Sequence, residues 1–164
     1  QLGGATTVGE ELDMFKLRSM SGFIVIRAGG PIAWSSVRQE RTSRSSCEAE
    51  VRATDECAKE VLSIRHRGQD IGLDDTTAPT KLFNDNQACV DWCKTTTTSG
   101  MKHINLRDNA VRESVHSKDL SIHHIAGKIN CADIFTKELK DASHFCLLRD
   151  SFMLKRSQFD SLLG

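Results

Sequence analysis

The sequence has no excess of charge of either sign: 22 lysines and arginines stand against 22 aspartates and glutamates. A global field that attracts nucleic acid or an anionic membrane is thereby excluded, and only a local basic patch can serve such a partner. It has no run of about 18 apolar residues and no basic flank leading into an apolar stretch, so neither a membrane span nor a signal peptide is supported. Internal repeats and low-complexity linkers are also missing. One soluble α/β domain is the economical reading of 164 residues, a length that can bury a real core.

The metal-ligand spacings of structural zinc sites are absent as well. Six cysteines occur, at 47, 57, 89, 93, 131 and 146, but none forms a CxxC pair, and the histidines show no HxxxH. Scattered through regular elements in a chain too long to need staples, they read as reduced thiols in core positions.

What is present has a clear order. Residues 1–20 combine small residues and charges without a period and read as an arm. "GFIVIRAGGPIAWSS" is β-branched with a Gly-Gly-Pro break, predicting strands at Gly22–Arg27 and Ile32–Ser36 in a hairpin. Helical spacing runs from Ser46 to about Arg67 and stops at Gly68. A short strand at Lys81–Asn84 passes into a helix from Asn86 to Lys94, and a threonine run breaks it. "HINLRDNAVRESVHS" predicts a helix, "LSIHHIAG" a strand, "CADIFTKEL" a helical turn or two, and 141–164 a helical tail on Phe145, Leu148, Phe152 and Leu154.

Two acids of "SSCEAEVRA" separate on this helix. Glu48 shares a charged face with Arg52, Asp55 and Lys59 and makes an S-x-x-E capping box with Ser45, so it is expected to be exposed. Glu50 lines up instead with Ala53, Cys57, Val61 and Ile64, the apolar stripe. A carboxylate there costs on the order of several kcal/mol to desolvate unless it is paired, which marks it as functional. The alternative is a residue at the rim of the stripe reaching water. Asp85 stands where a strand gives way to a helix, the end at which open α/β sheets place ligands, although Asp85 or Asn86 is also needed as a helix cap. Asp133 follows a strand and glycine loop, and its alternative is a helix-start acid favoured by the dipole. Three carboxylates so placed suggest a hard divalent cation such as Mg²⁺, and a pair of such ions can drive phosphodiester hydrolysis.

Taken in order, "PIAWSS", "SSCEAEVRA", "FNDNQACV", "MKHINLRDNAVRE" and "CADIFTK" resemble the successive motifs of the ribonuclease H domain in the Pol polyprotein of copia-type LTR retrotransposons. That family's wording is near W-S-S, S-S-T-E-A-E-Y, D-N-Q-S-A, K-H-I-D-I-R-x-x-F-I-R-E and A-D-x-F-T-K. The resemblance covers Ser21 to about Leu139. It implies a ribonuclease H-like α/β fold, with a five-stranded mixed sheet flanked by helices, and cleavage of RNA in RNA/DNA hybrids with Mg²⁺ or Mn²⁺, two ions in all. It assigns Glu50, Asp85 and Asp133 as catalytic metal ligands and matches His124 loosely to a mobile histidine of some relatives, a structural histidine being the alternative. For substrate phosphates the candidates are Arg38, Arg41, Arg44, Lys102 and Arg107, flanking the carboxylates in sequence.

The family's first strand carries a fourth acid, and here "QLGG" matches only the end of that motif, so the strand and its aspartate are expected just upstream of Gln1. Glu10, Glu11 and Asp13 lie in the arm without a strand pattern. The expected organisation is an arm (1–20), a ribonuclease H-like domain (21–140) and a helical tail (141–164). The sheet would be completed by the upstream reverse transcriptase region or by another chain. Two readings follow: a ribonuclease H active once so completed, in a cytoplasmic particle or the nucleus, or a truncated or domesticated copy acting as a non-catalytic binding or structural subunit.

Overall fold

A computed structural model describes residues 18–40, 42–43, 45–73, 78–95 and 109–153. Strands β1 (Met20–Arg27) and β2 (Gly30–Arg38) form an antiparallel hairpin. Both are longer than expected, and the turn is Ala28-Gly29 rather than Gly-Gly: φ is 51° at Ala28 and 82° at Gly29, the positive sign that a two-residue hairpin turn requires. Pro31, which has no N–H to give a ladder, sits beside a register shift at Val25/Ile26.

Helix α1 (Ser46–Asp70) begins at the predicted cap, with Ser45 Oγ accepting from the Glu48 amide at 3.1 Å. It does not stop at Gly68, which is buried inside its last turn; the chain leaves the helix at Ile71 and Gly72, where φ is 68°. Then come β3 (Thr80–Asn84), α2 (Gln87–Lys94), α3 (Asn109–His116) and β4 (Leu120–His124), with β3 and β4 paired in parallel. Two 3-10 turns, Gly127–Ile129 and Cys131–Phe135, lead to α4 (Ala142–Asp150), which packs on the second turn. The core of Val51, Ala58, Val61, Leu82, Cys89, Val90, Cys93, Val111, Leu120 and Ile122 lies among α1, α2, α3, β3 and β4. All six cysteines are free thiols, with Cys89 and Cys93 fully buried. Among the described residues no helix is long and apolar enough to cross a membrane.

Among the described residues the sheet is in two parts, an arrangement compatible with a mixed sheet that lacks its first strand. The described strands make two separate two-stranded sheets, β1-β2 and β3-β4. Four side chains give their relative direction. Gln39 Nε2 donates to Ser21 Oγ (3.0 Å) and to the Ala49 carbonyl (2.9 Å), joining the start of β1 to the start of α1. Arg27 reaches the Leu73 carbonyl beyond the far end of α1, so β1 and α1 run the same way. Arg65 donates to the Ala78 carbonyl and Thr80 Oγ1, while Asn84 reaches back to Glu50, so β3 runs the opposite way. The two sheets therefore present antiparallel strands, β1 and β3, to one cavity of about 300 Å³ floored by Ala53, Cys57 and Val61 of α1.

Glu48 is buried, not exposed, and so is Asp55. The reason is that α1 packs against β1 on one side and against α2 and α3 on the other, so that its exposed stripe runs through Glu56, Lys59 and Ser63 instead. The charges go inside as pairs one turn apart, Glu48–Arg52 at 2.6 Å and Asp55–Lys59 at 2.5 Å, with the basic ends reaching outward.

Candidate carboxylate site

Glu50 sits in the second turn of α1, where the helix passes the end of β3. Alternation along β3 buries Leu82 and Asn84 and leaves Lys81 and Phe83 outside, so the last inward position of the strand is an amide. Asn84 Nδ2 donates to Glu50 Oε2 at 3.2 Å and to Thr54 Oγ1 at 3.1 Å. Thr54 Oγ1 donates in turn to the Glu50 carbonyl at 2.8 Å, and Asn84 Oδ1 accepts from the Asn86 amide at 2.7 Å. Glu50 is thus oriented by a buried amide that is itself held on both sides. Burial pushes its carboxyl above the usual glutamate range. The Asn84 hydrogen bond and Lys137 oppose that rise, and the charges of Asp85 and Asp133 add to it.

The next residue, Asp85, is released from capping duty because Asn86 performs it: Asn86 Oδ1 accepts from the Cys89 amide at 3.1 Å and starts α2. Asp85's own carbonyl accepts from His124 Nε2 at 3.2 Å, across from the end of β4. Its carboxylate lies over Gly127. A Cβ on that residue would stand 3.1 Å from Asp85 Oδ2, so a side chain at 127 would require the carboxylate to shift by a few tenths of an ångström.

Asp133 is buried in the second 3-10 turn, whose start is capped by Asn130 Oδ1 accepting from the Ala132 amide at 3.1 Å. Both of its carboxylate oxygens accept from Lys137 Nζ, each at 2.9 Å. Burial pulls the Lys137 ammonium down, but the Asp133 hydrogen bonds and the charges of Asp133, Asp85 and Glu50 outweigh it and hold the group above the usual lysine range.

Glu50, Asp85 and Asp133 therefore come from three separate parts of the chain into one electrostatic neighbourhood. Their donor chemistry is all oxygen and suits a hard divalent cation. As they stand, however, no three His, Cys, Asp or Glu side chains among the described residues come together closely enough to hold a metal ion. The cation that Asp133 engages is Lys137. Of the expected substrate contacts, Arg38 ends β2, whereas Arg41, Arg44, Lys102 and Arg107 lie outside the described residues. Sequence reasoning missed Asn84, Gly127 and Lys137. The signals were a polar residue at an inward position of a period-2 strand and an Asp-Lys pair spaced i,i+4.

No family model matches the chain, and no solved structure matches it. It is similar to the retrovirus-related Pol polyprotein from transposon TNT 1-94 of Nicotiana tabacum, 30% identical over 137 residues, which are 83% of this chain and 10% of that protein. It is also similar to the Pol polyproteins from transposons RE1 and RE2 of Arabidopsis thaliana, 33% identical over 122 residues in each case, or 74% of this chain and 8% of theirs. The chain spans about a tenth or less of the length of these relatives. The matched residues align with one region of these retrotransposon Pol polyproteins.

Proposed function

We propose that the chain is the ribonuclease H-like portion of a retrotransposon Pol protein, hydrolysing RNA in RNA/DNA hybrids with Mg²⁺ or Mn²⁺ bound by Glu50, Asp85 and Asp133. The observation that carries this reading is the gathering of those three acids at one end of β3. Each comes from a different part of the chain, and Asn86 and Asn130 relieve Asp85 and Asp133 of capping the neighbouring helix and turn. Bound divalent ions would supply an activated water and stabilise the leaving oxygen. The chain's own residues do the rest: Asn84 orients Glu50, and Gly127 makes room for Asp85.

A second reading, a non-catalytic binding or structural subunit, is favoured by the incomplete convergence of the carboxylates and by the two sheets facing each other across a cavity. An extended strand from upstream Pol sequence or from another chain, lying between β1 and β3 antiparallel to one and parallel to the other, would join the two sheets.

The deciding experiment is cleavage of a labelled RNA/DNA hybrid in Mg²⁺, by the chain alone and by the chain joined to the Pol sequence that precedes this region in its relatives, each with and without Asp85→Asn. Cleavage lost in Asp85→Asn supports the enzyme. Hybrid binding that weakens steeply with salt, without cleavage in either form, supports the binding subunit.

A further inference from the structure

One acid of the site, Asp133, already holds a cation, and it belongs to the protein. We propose that the Lys137 ammonium is a built-in counter-ion of the carboxylate cluster, keeping Asp133 engaged until a divalent cation displaces it. The proposal rests on the metal-binding reading above and concerns how that site is regulated.

Three observations carry it. Lys137 Nζ is equidistant, at 2.9 Å, from both oxygens of Asp133, so it occupies the position from which an ion would be shared by that carboxylate. Exposure on the two sides of the pair is unequal: the Asp133 side chain is 11% exposed and the Lys137 side chain 56%. The carboxylate is fixed and the lysine reaches in from solvent, so the ammonium can leave by rotating its stem, without movement of the turn that holds Asp133. The ammonium also lies in the field of Glu50 and Asp85 as well as Asp133. A single charge thus faces three carboxylates and leaves the cluster under-neutralised.

These features predict competition rather than cooperation. A divalent ion brings twice the charge to the same oxygens and draws Asp133 toward Glu50 and Asp85, and each step of that convergence requires Lys137 to let go. Without metal, the lysine protects a buried carboxylate from standing unpaired.

Two measurements on the whole chain test the proposal. Calorimetric Mg²⁺ and Mn²⁺ titrations compare wild type, Lys137→Met, Lys137→Arg and Asp85→Asn. Lys137→Met keeps the stem and removes the charge, so its divalent affinity should rise about tenfold, while its thermal midpoint in chelator should fall; Lys137→Arg should stay within about twofold of wild type. The second measurement needs no variant: in ¹⁵N-labelled wild type, the Lys137 ammonium resonance should move toward that of a free lysine side chain as Mg²⁺ is added.

If wild type binds the ions, Asp85→Asn does not, and Lys137→Met binds with unchanged or weaker affinity, the counter-ion role is overturned and the metal reading stands. An ammonium resonance unmoved by saturating Mg²⁺ overturns it equally, even if Lys137→Met fails to fold. Absence of divalent binding in folded wild type and in Lys137→Met overturns both.

Discussion

The parallel half of the molecule and the hairpin half are built from similarly apolar strands but stand very differently. In β3 and β4, Leu82, Leu120 and Ile122 are essentially inaccessible, covered by α1, α2 and α3. In β1 and β2, the buried residue is Ser21, whereas Ile26, Ile32, Trp34 and Val37 are 46%, 45%, 62% and 54% exposed. β-branched composition produced strands in both places. What differs is whether a second layer exists to cover them, because strand propensity measures fit to a half-buried surface rather than an intrinsic backbone choice. Packing energy is therefore concentrated in the parallel half, and the hairpin is held by α1, by the side chain of Gln39 and by the second 3-10 turn, where Ser36 Oγ donates to the Phe135 carbonyl.

The largest expected effect tests that imbalance. Leu120→Ala should cost about 2 to 5 kcal/mol in urea unfolding, because it opens a cavity in a core that cannot collapse around it. Trp34→Ser, although it removes a larger side chain, should stay within about 0.5 kcal/mol. Equal losses would mean that the hairpin face is covered in solution and that the contrast between the halves is wrong.

Gln39 comes next, since it joins the halves. It is buried at 5% exposure and also accepts from Ser43 Oγ at 2.9 Å. Gln39→Ala leaves Ser21 Oγ and the Ala49 carbonyl without its donor, at a cost of about 1 to 3 kcal/mol. Amide exchange should rise in β1 and β2 while β3 and β4 remain protected; uniform acceleration would show that Gln39 supports the whole core instead.

The same imbalance explains what could be read from the sequence. Element type followed periodicity wherever one face of an element is buried: the hairpin, α1 from its Ser45 cap onward, β3, α2 and β4 stand where alternation and capping put them, give or take a few residues. Reading failed where one face is not the rule. On α1 a charged stripe signalled solvent for Glu48 and Asp55, yet the helix is buried on two sides and takes those charges in as i,i+4 pairs. How the strands join was not legible for another reason: strand patterns say which residues alternate, not which edges meet. At the site, Glu50 stands out in the sequence because a carboxylate on an apolar stripe breaks a local rule, although that stripe faces the cavity rather than the most buried side of α1. Asn84 and Lys137 break none, since a strand-end asparagine and an i,i+4 lysine are ordinary features, and only their placement makes them the partners of Glu50 and Asp133.

Glu50 sits on the seam between the halves and yields a smaller effect of definite sign. Its carboxyl is held above the ordinary range, mainly by burial, so the folded state binds the proton more tightly than the unfolded state does. That contribution to stability is fully present below the unfolded glutamate pKa and is lost as pH rises through the folded value. Glu50→Gln, whose Oε1 can still accept from Asn84, should therefore gain on wild type in thermal midpoint between pH 4 and pH 7, and lose divalent binding. A variant less stable than wild type at pH 7 would mean that the charge of Glu50 is compensated in the folded protein, by Lys137 in the first place.

The smallest effect lies at the hairpin tip and asks whether the two halves unfold together. Ala28 carries φ of 51°, a left-handed conformation that costs a residue with a Cβ about 1 to 2 kcal/mol and that asparagine tolerates better. Asn-Gly is also the preferred pair for a two-residue turn in which both φ values are positive, so Ala28→Asn should stabilise the hairpin by about 0.5 to 1 kcal/mol. Because the packed core is in the other half, the gain should appear as roughly two- to fivefold slower exchange in β1 and β2 amides, with β3 and β4 amides unchanged. If instead both sheets slow by the same factor, the hairpin and the parallel half open as one cooperative unit. The contacts through α1 and Gln39 would then couple them more strongly than their unequal burial suggests.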